Sequence, residues 1–316
     1  ALVMGRVDGV RFDVAVFLNF GRDHLDFHQD VEHYFAAKAS LFTAERTARA
    51  LLNLDDPAVA ALRDRLEIEV RTFSARGGDG DWRASDLVLG PDGSDFRLSG
   101  PGGAGVDVSL RLAGDFNVAN AVAALAAAGE AGFDVGLAAA GLSAVERVSG
   151  RLERVDVGQP FQVVVDYAHK PDAVEAVLRT LRNVTSGRLL IVLGAGGDRD
   201  PGKRELMGAA AARLADVVVV TDDNPRGEDP GEIRAALLSG ARTADPGLGL
   251  AEVHEVGDRR AAIALALRLA RPADTVLVAG KGHETGQEIS GRVLPFDDRA
   301  VVRELLGSSG AAVVTP

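Results

Sequence analysis

Three apolar runs, each ending in a polar cassette, constrain this chain more than any other feature. Residues 189–193 (Leu-Leu-Ile-Val-Leu) lead into a cassette at 194–204 that contains Arg199, Lys203 and Arg204. Residues 217–221 (Val-Val-Val-Val-Thr) lead into Asp222-Asp223-Asn224-Pro225-Arg226, and residues 275–279 (Thr-Val-Leu-Val-Ala) into Gly280-Lys281-Gly282-His283-Glu284. Continuous runs of this length, rich in Val, Leu and Ile, are the pattern of strands buried on both faces of a parallel sheet. Ligands of such sheets dock just outside the carboxyl ends of the strands. The cassettes fall there and mix Arg, Asn, Asp and Glu, so the implied ligand carries both positive and negative groups.

The spacing around these runs predicts two domains, 1–150 and 151–316. From residue 161 onward, strands alternate with helices expected at 171–183, 203–214, 230–241 and 258–270. Further strands fall at 251–256 and 275–279, and a last helix covers 298–307. This rhythm predicts a doubly wound parallel α/β sheet. The first part is mixed. It has a strand at 12–19, a helix at 30–43 opened by Asp30, a strand at 50–54, and a helix from Pro57 to about Leu66. Residues 77–105 are rich in Gly, Asp and Ser, and their short alternating pieces (86–89, 96–98) suggest antiparallel hairpins at a sheet edge. Ala-rich helices follow at 119–131 and 135–145, and the tail after Gly307 is expected to fray.

Composition narrows the function. Of 316 residues, 47% are hydrophobic and 26% charged, which is ordinary for a soluble globular protein. A net charge of −11 argues against a nucleic-acid partner. The absence of Cys excludes disulfides, thiolate metal sites and a Cys nucleophile, and fits a reducing compartment. No apolar run approaches the roughly 18 residues of a membrane span, and no signal peptide opens the chain. The start at Ala-Leu-Val-Met reads as the continuation of something longer. Lysine occurs at four positions only, Lys38, Lys170, Lys203 and Lys281. Codon bias explains the scarcity but not the placement of three of them in or beside polar motifs.

Each motif admits a plain reading beside a functional one. Residues 197–203 match the start of a phosphate-binding loop, but position 204 is Arg where that loop needs a hydroxyl for Mg²⁺, and Asp198, Asp200 and Pro201 oppose phosphate binding. A tight turn that projects Arg199 into the crevice is the better reading. The stretch 222–226 is either a turn or a rigid rim that aims Asn224 and Arg226. Gly280 permits close backbone approach, and Glu284 either accepts from an ammonium group or lies solvated at a helix cap. Asp166 ends a strand as either a ribose-holding acid or a helix-start signal. His24 and His28, four apart, would share a helix face. Lys38, in an apolar stretch, needs a partner or a route to solvent. Asn117 suits a helix N-cap, with Asn120 one turn on.

Taken together, Asn19–His28, Tyr34–Phe42, Asn53–Pro57, Phe116–Asn120, Gly150–Glu153, Asp166–His169, Gly196–Asp200, Asp222–Arg226 and Gly280–Glu284 run in the order found in the Mur ligases. The chain resembles that family, and within it the MurE class that adds the third residue of the peptidoglycan stem peptide. The resemblance implies the remainder of a Mur ligase central ATPase domain followed by a Rossmann-like doubly wound C-terminal domain. It implies ATP and Mg²⁺, with His24 as a metal ligand and Lys38 as a carbamylated lysine whose CO₂ adduct turns an ammonium into a carboxylate-like ligand. Asn117, Asn120, Arg151 and Asp166 would face the nucleotide. Arg199, Asn224, Arg226, Gly280 and Glu284 would hold the incoming amino acid. The Asn-Pro-Arg form resembles enzymes that use meso-diaminopimelate, whose distal carboxylate suits Arg199 and Arg226 and whose ammonium suits Glu284.

The implied reaction is phosphorylation of the terminal carboxylate of UDP-N-acetylmuramoyl-L-alanyl-D-glutamate by ATP, then attack of the diaminopimelate amine on the acyl phosphate, in a cytoplasmic monomer. The family's N-terminal UDP-binding domain and its Gly-Lys-Ser/Thr phosphate loop are not in this sequence. Residues Leu18, Phe20, Gly21 and Ser149 also depart from the usual pattern. A non-catalytic module that keeps the amino-acid pocket is therefore the alternative expectation, and a folate glutamyl-adding relative a weaker one.

Overall fold

The computed structural model describes residues 2–25, 27–90, 92–103, 105–244 and 251–310. The chain divides into two compact units, Ala1–Glu146 and Arg147–Pro316.

The first unit is built on one six-stranded sheet whose strands lie side by side in chain order. They are β1 (Phe12–Phe17), β2 (Thr47–Asn53), β3 (Glu69–Ser74), β4 (Trp82–Leu89), β5 (Ser94–Ser99) and β6 (Gly105–Leu110). Strands β1 to β4 pair in parallel, and β4 to β6 form antiparallel hairpins at the far edge, where alternation predicted them. Strand β2 shows why the sheet is covered on both sides. Leu51 belongs to the cluster that contains Phe73, Trp82 and the α3 (Asp115–Glu130) residues Val118, Val122 and Leu125. Its neighbours Ala50 and Leu52 belong to the opposite cluster, with Phe17, Phe42 and Val59. Successive side chains point to opposite faces, so one strand feeds two cores. Each buried Leu or Phe contributes about 1.5–3 kcal/mol.

Helices α1 (Val31–Ala39), α2 (Pro57–Ala60) and α4 (Val135–Ser143) complete the unit. Asp30, Asp56 and Asp134 each accept from a backbone N–H of the first turn, satisfying one of the orphan donors there. Helix α2 stops at Ala60, well short of Leu66. Strand β3 was not anticipated, because its charged start (Glu-Val-Arg-Thr) shows no continuous apolar run. At α3 the cap is Gly114, at φ 100°, rather than Asn117, which already lies inside the helix.

The second unit is a Rossmann-like sheet in the order β11-β10-β9-β12-β8-β7. Its strands are β7 (Glu153–Arg154), β8 (Gln162–Asp166), β9 (Leu189–Leu193), β10 (Val217–Val220), β11 (Glu252–Glu255) and β12 (Thr275–Ala279). All pairings are parallel except that of β7 with β8. Every residue of β9, β10 and β12 is buried, as continuous apolar runs require. The intervening helices are α5 (Pro171–Arg182), α6 (Gly202–Leu214), α7 (Pro230–Thr243) and α8 (Arg259–Leu269). Helices α6 and α7 approach very closely: a methyl group at Gly208 would overlap the Leu237 carbonyl, and one at Gly240 the Glu205 carbonyl.

The last helix, α9 (Asp298–Gly310), runs past Gly307, where fraying was expected; residues 311–316 lie outside the described residues. A small hairpin, β13 (Gly286–Ile289) and β14 (Arg292–Pro295), follows the third cassette. Its short, largely exposed strands gave no pattern to find.

Candidate functional site

Strands β10, β9, β12 and β8 are consecutive neighbours, so their four polar cassettes stand in a row at one rim of the second sheet. Two adjoining groups form there.

The first group joins three cassettes. Asn224 is buried, and its Nδ2 donates to Glu284 Oε2 at 3.0 Å. Its Oδ1 accepts from Lys281 Nζ at 2.7 Å and from Glu288 N at 3.0 Å. Arg226 has φ 52°, a left-handed conformation that a non-Gly residue holds only when its surroundings impose it. Those surroundings are the β13 strand: Arg226 N donates to Glu288 O, and Arg226 O accepts from Ser290 N. The guanidinium then reaches two ways, Nη1 to Gly197 O (2.7 Å) and Nε to Glu288 Oε2 (3.1 Å). A Cβ at Gly196 would lie 2.9 Å from Arg226 Nη1 and 3.9 Å from Arg199 Cγ, so both arginines flank one glycine. Arg199 itself is exposed, with Nη1 donating to Asp198 O. Gly280, at φ 116°, leaves room for the Asp223 carboxylate, which a side chain there would strike.

The second group lies around Tyr167. The Arg151 guanidinium stands 4.7 Å from the Tyr167 ring centre, and the rings of His169 and His283 lie 4.6 and 5.2 Å away. Burial, and secondarily the Glu284 charge, push the Tyr167 hydroxyl pKa up. Asp166, expected as a ribose-holding acid, is 3% exposed and accepts from Leu152 N and Ala168 N, both at 2.8 Å. It braces the turn that presents Arg151 rather than offering an open carboxylate edge. Burial raises its pKa, against those two N–H bonds and Arg151.

In the first unit, His24 and Lys38 face the same buried ring. Lys38 Nζ is 5.0 Å from the Tyr34 ring centre, and the His24 and His28 rings lie 5.7 and 5.0 Å from it. His24 and His28, whose spacing would put both on one face if they were helical, lie in no regular helix, and His28 N donates to His24 O. Asp26 lies outside the described residues. His24 sits at φ 55°, its Nε2 3.1 Å from Asp23 Oδ2. Tyr34 is pushed up to about 12 by burial and by Asp23. Among the described residues, no three His, Cys, Asp or Glu gather as metal ligands. Mg²⁺ takes oxygen ligands, keeps several waters and draws others from phosphates, so His24 and an unmodified Lys38 do not by themselves make a site for it. Asn117 and Asn120 share a face of α3, their side chains 3.4 Å apart, and Asn117 Nδ2 donates to Ala113 O.

Sequence reasoning missed Lys281 as an organiser of the rim, the β13 strand that fixes Arg226, and the buried pair of Arg259 with Asp298. The pair binds through two hydrogen bonds of 2.8 and 2.7 Å, and Arg259 Nη2 also donates to Ala279 O directly below Gly280. Both side chains are wholly shielded from solvent. The scarcity of lysine was the one available hint to Lys281; nothing local could have joined residues 259 and 298.

Residues 1–128 match the profile of the Mur ligase middle domain, and residues 150–282 that of the Mur ligase glutamate ligase domain. The chain belongs to the Mur ligase family. A relative from Streptomyces avermitilis, named UDP-N-acetylmuramoyl-L-alanyl-D-glutamate--2,6-diaminopimelate ligase, is 55% identical over 97% of this chain and 60% of its own length. A Corynebacterium glutamicum protein of the same name is 47% identical over the same shares. A solved structure of a protein with that name aligns with a TM-score of 0.58 at 38% identity, covering 98% of this chain and 63% of that one. The chain thus spans about 60% of the length of the curated relatives it matches. Among its described residues, no helix is long and apolar enough to cross a membrane.

Proposed function

We propose that the protein carrying this chain is an ATP-dependent ligase joining meso-diaminopimelate to UDP-N-acetylmuramoyl-L-alanyl-D-glutamate through an acyl phosphate. The names of relatives at 47–55% identity support the reaction. The observation that carries the amino-acid assignment is the group of Arg226, Asn224 and Glu284, with Arg199 across Gly196. An amino acid with a charged far end needs a guanidinium for its carboxylate and an acid for its ammonium, held a fixed distance apart. Lysine lacks that distal carboxylate and so forgoes the charge-assisted bonds that Arg199 and Arg226 would make to it, which is how such a site disfavours it.

In this reading Arg199 and Arg226 orient the distal carboxylate, Glu284 accepts from the distal ammonium, and Asn224 and Gly280 contact the backbone-like end. Arg151 faces the nucleotide over Tyr167, with Asp166 holding its turn, and Asn117 and Asn120 serve the nucleotide from α3. His24 and carbamylated Lys38 would hold Mg²⁺, which when bound would stabilise phosphoryl charge. The chain's own part is to position an amine against an activated carboxylate and to keep that amine oriented as it attacks.

Amino-acid-dependent phosphate release by the full-length protein tests this. Diaminopimelate is expected to stimulate release, and lysine at the same concentration is expected to be at least about a hundredfold poorer in kcat/KM. Equal stimulation by both would overturn the substrate assignment, and stimulation by neither the ligase itself.

A further inference from the structure

The residues assigned to the amino acid leave out Lys281, a buried cation that touches two of them. Lys281 is fully shielded from solvent, and a buried ammonium is costly unless paired. Its Nζ donates to Asn224 Oδ1 (2.7 Å) and Gly286 O (2.8 Å), and stands 3.4 Å from Asp223 Oδ1 and 3.5 Å from Glu284 Oε2. Glu288 N is a second donor to the same Asn224 oxygen. That oxygen has two lone pairs, and both meet donors. Turned over, the amide would set its NH₂ against Lys281 and Glu288 N and its oxygen against the Glu284 carboxylate. Three repulsions would replace three hydrogen bonds, so Nδ2 is directed at Glu284.

Charge points the same way. One ammonium between two carboxylates leaves a single net negative charge. Glu284 is the more open of the two, its side chain 34% exposed against 7% for Asp223. The rim therefore presents one acid outward and keeps the other neutralised beneath it. An arginine could not substitute, because a planar fork does not fit a site built for a compact point charge.

We propose that Lys281 is a positioning residue for amino-acid recognition: it fixes the Asn224 amide and offsets Asp223, so that Glu284 alone meets the ligand's ammonium group. The inference rests on the reading of this rim as the amino-acid pocket.

Lys281→Met, which keeps the length of the stem and removes the charge, tests it in the full-length protein by two measurements. In a crystal structure without ligand, the Asn224–Glu284 hydrogen bond is expected to be lost. In steady-state assays, KM for diaminopimelate is expected to rise by roughly tenfold or more, with KM for ATP and kcat changing less than about threefold. If that variant does not fold, Lys281→Met combined with Asp223→Asn removes cation and counter-charge together and is expected to show the same two changes. An Asn224–Glu284 bond unchanged in the variant structure, or KM values that all move together, would overturn the proposal. A wild-type protein with no amino-acid-dependent turnover sinks the ligase reading instead, and the crystal structure still decides whether Lys281 orients Asn224.

Discussion

The two units hold their candidate residues in opposite ways. In the first, His24 sits on a turn with its side chain 56% exposed, tied to Asp23, and Lys38 rests over one tyrosine ring. In the second, Asn224, Arg226, Lys281 and Glu284 are cross-linked by side-chain bonds between three cassettes and a hairpin. A pocket bonded to itself before the ligand arrives loses little entropy on binding and discriminates by geometry. The exposed His24 imidazole is held by the turn it sits on and by Asp23. On the proposed reading, the cross-linked rim serves the small amino acid and the more open turn serves phosphates.

The largest test of the rigid side lies beneath it. Burial alone would lower the Arg259 pKa, but the charge and hydrogen bonds of Asp298 outweigh it and hold the guanidinium charged. Arg259→Ala strands Asp298 in the core and removes the support under Ala279, so we expect a loss of about 3–5 kcal/mol in denaturant unfolding followed by circular dichroism. A loss under about 1 kcal/mol would mean that the rim does not depend on this pair, and the contrast between the units would weaken.

Next in size is Glu284→Gln, which keeps shape and Asn224 contact while deleting the charge. We expect KM for diaminopimelate to rise roughly 30- to 100-fold, about 2–3 kcal/mol, with KM for ATP little changed. Equal effects on both substrates would place Glu284 outside the amino-acid pocket.

What sequence alone disclosed follows the same division. Strands β9, β10 and β12 were legible because burial on both faces forces unbroken apolar runs. The positions of Arg199, Asn224, Arg226 and Glu284 followed from where those runs end. The bonds that hold them did not. Glu288 and Ser290 reach Arg226 from a hairpin of four-residue strands, and the left-handed backbone of Arg226 leaves no trace in composition. Asp166 is a different case: its strand-end position fits a ligand acid and a backbone brace equally, and the bonds from Leu152 N and Ala168 N that show the brace were not legible in the sequence.

The more open side predicts smaller effects. Asp30 caps α1, the helix that carries both Tyr34 and Lys38, through its bond to His33 N at 2.7 Å. Asp30→Ala should cost about 1 kcal/mol in thermal or denaturant unfolding. If Lys38 depends on α1 for its place, the variant should also lose some activity; full activity at reduced stability would show that the ligand, not the helix end, sets the site.

The smallest effect is a titration. Tyr34 is raised to about 12, first by burial and second by the Asp23 charge. The folded protein thus holds this proton more tightly than the unfolded chain, whose tyrosine titrates near 10. The resulting stabilisation is complete below about pH 10 and is lost as pH rises toward 12. Tyrosinate absorbance should show one of the two tyrosines, Tyr34 and Tyr167, titrating near 12. Asp23→Asn should lower that midpoint without returning it to 10, since burial is the larger cause. A return all the way to 10 would mean that charge, not packing, shapes this pocket, and that its tyrosine is as open to water as the imidazole beside it.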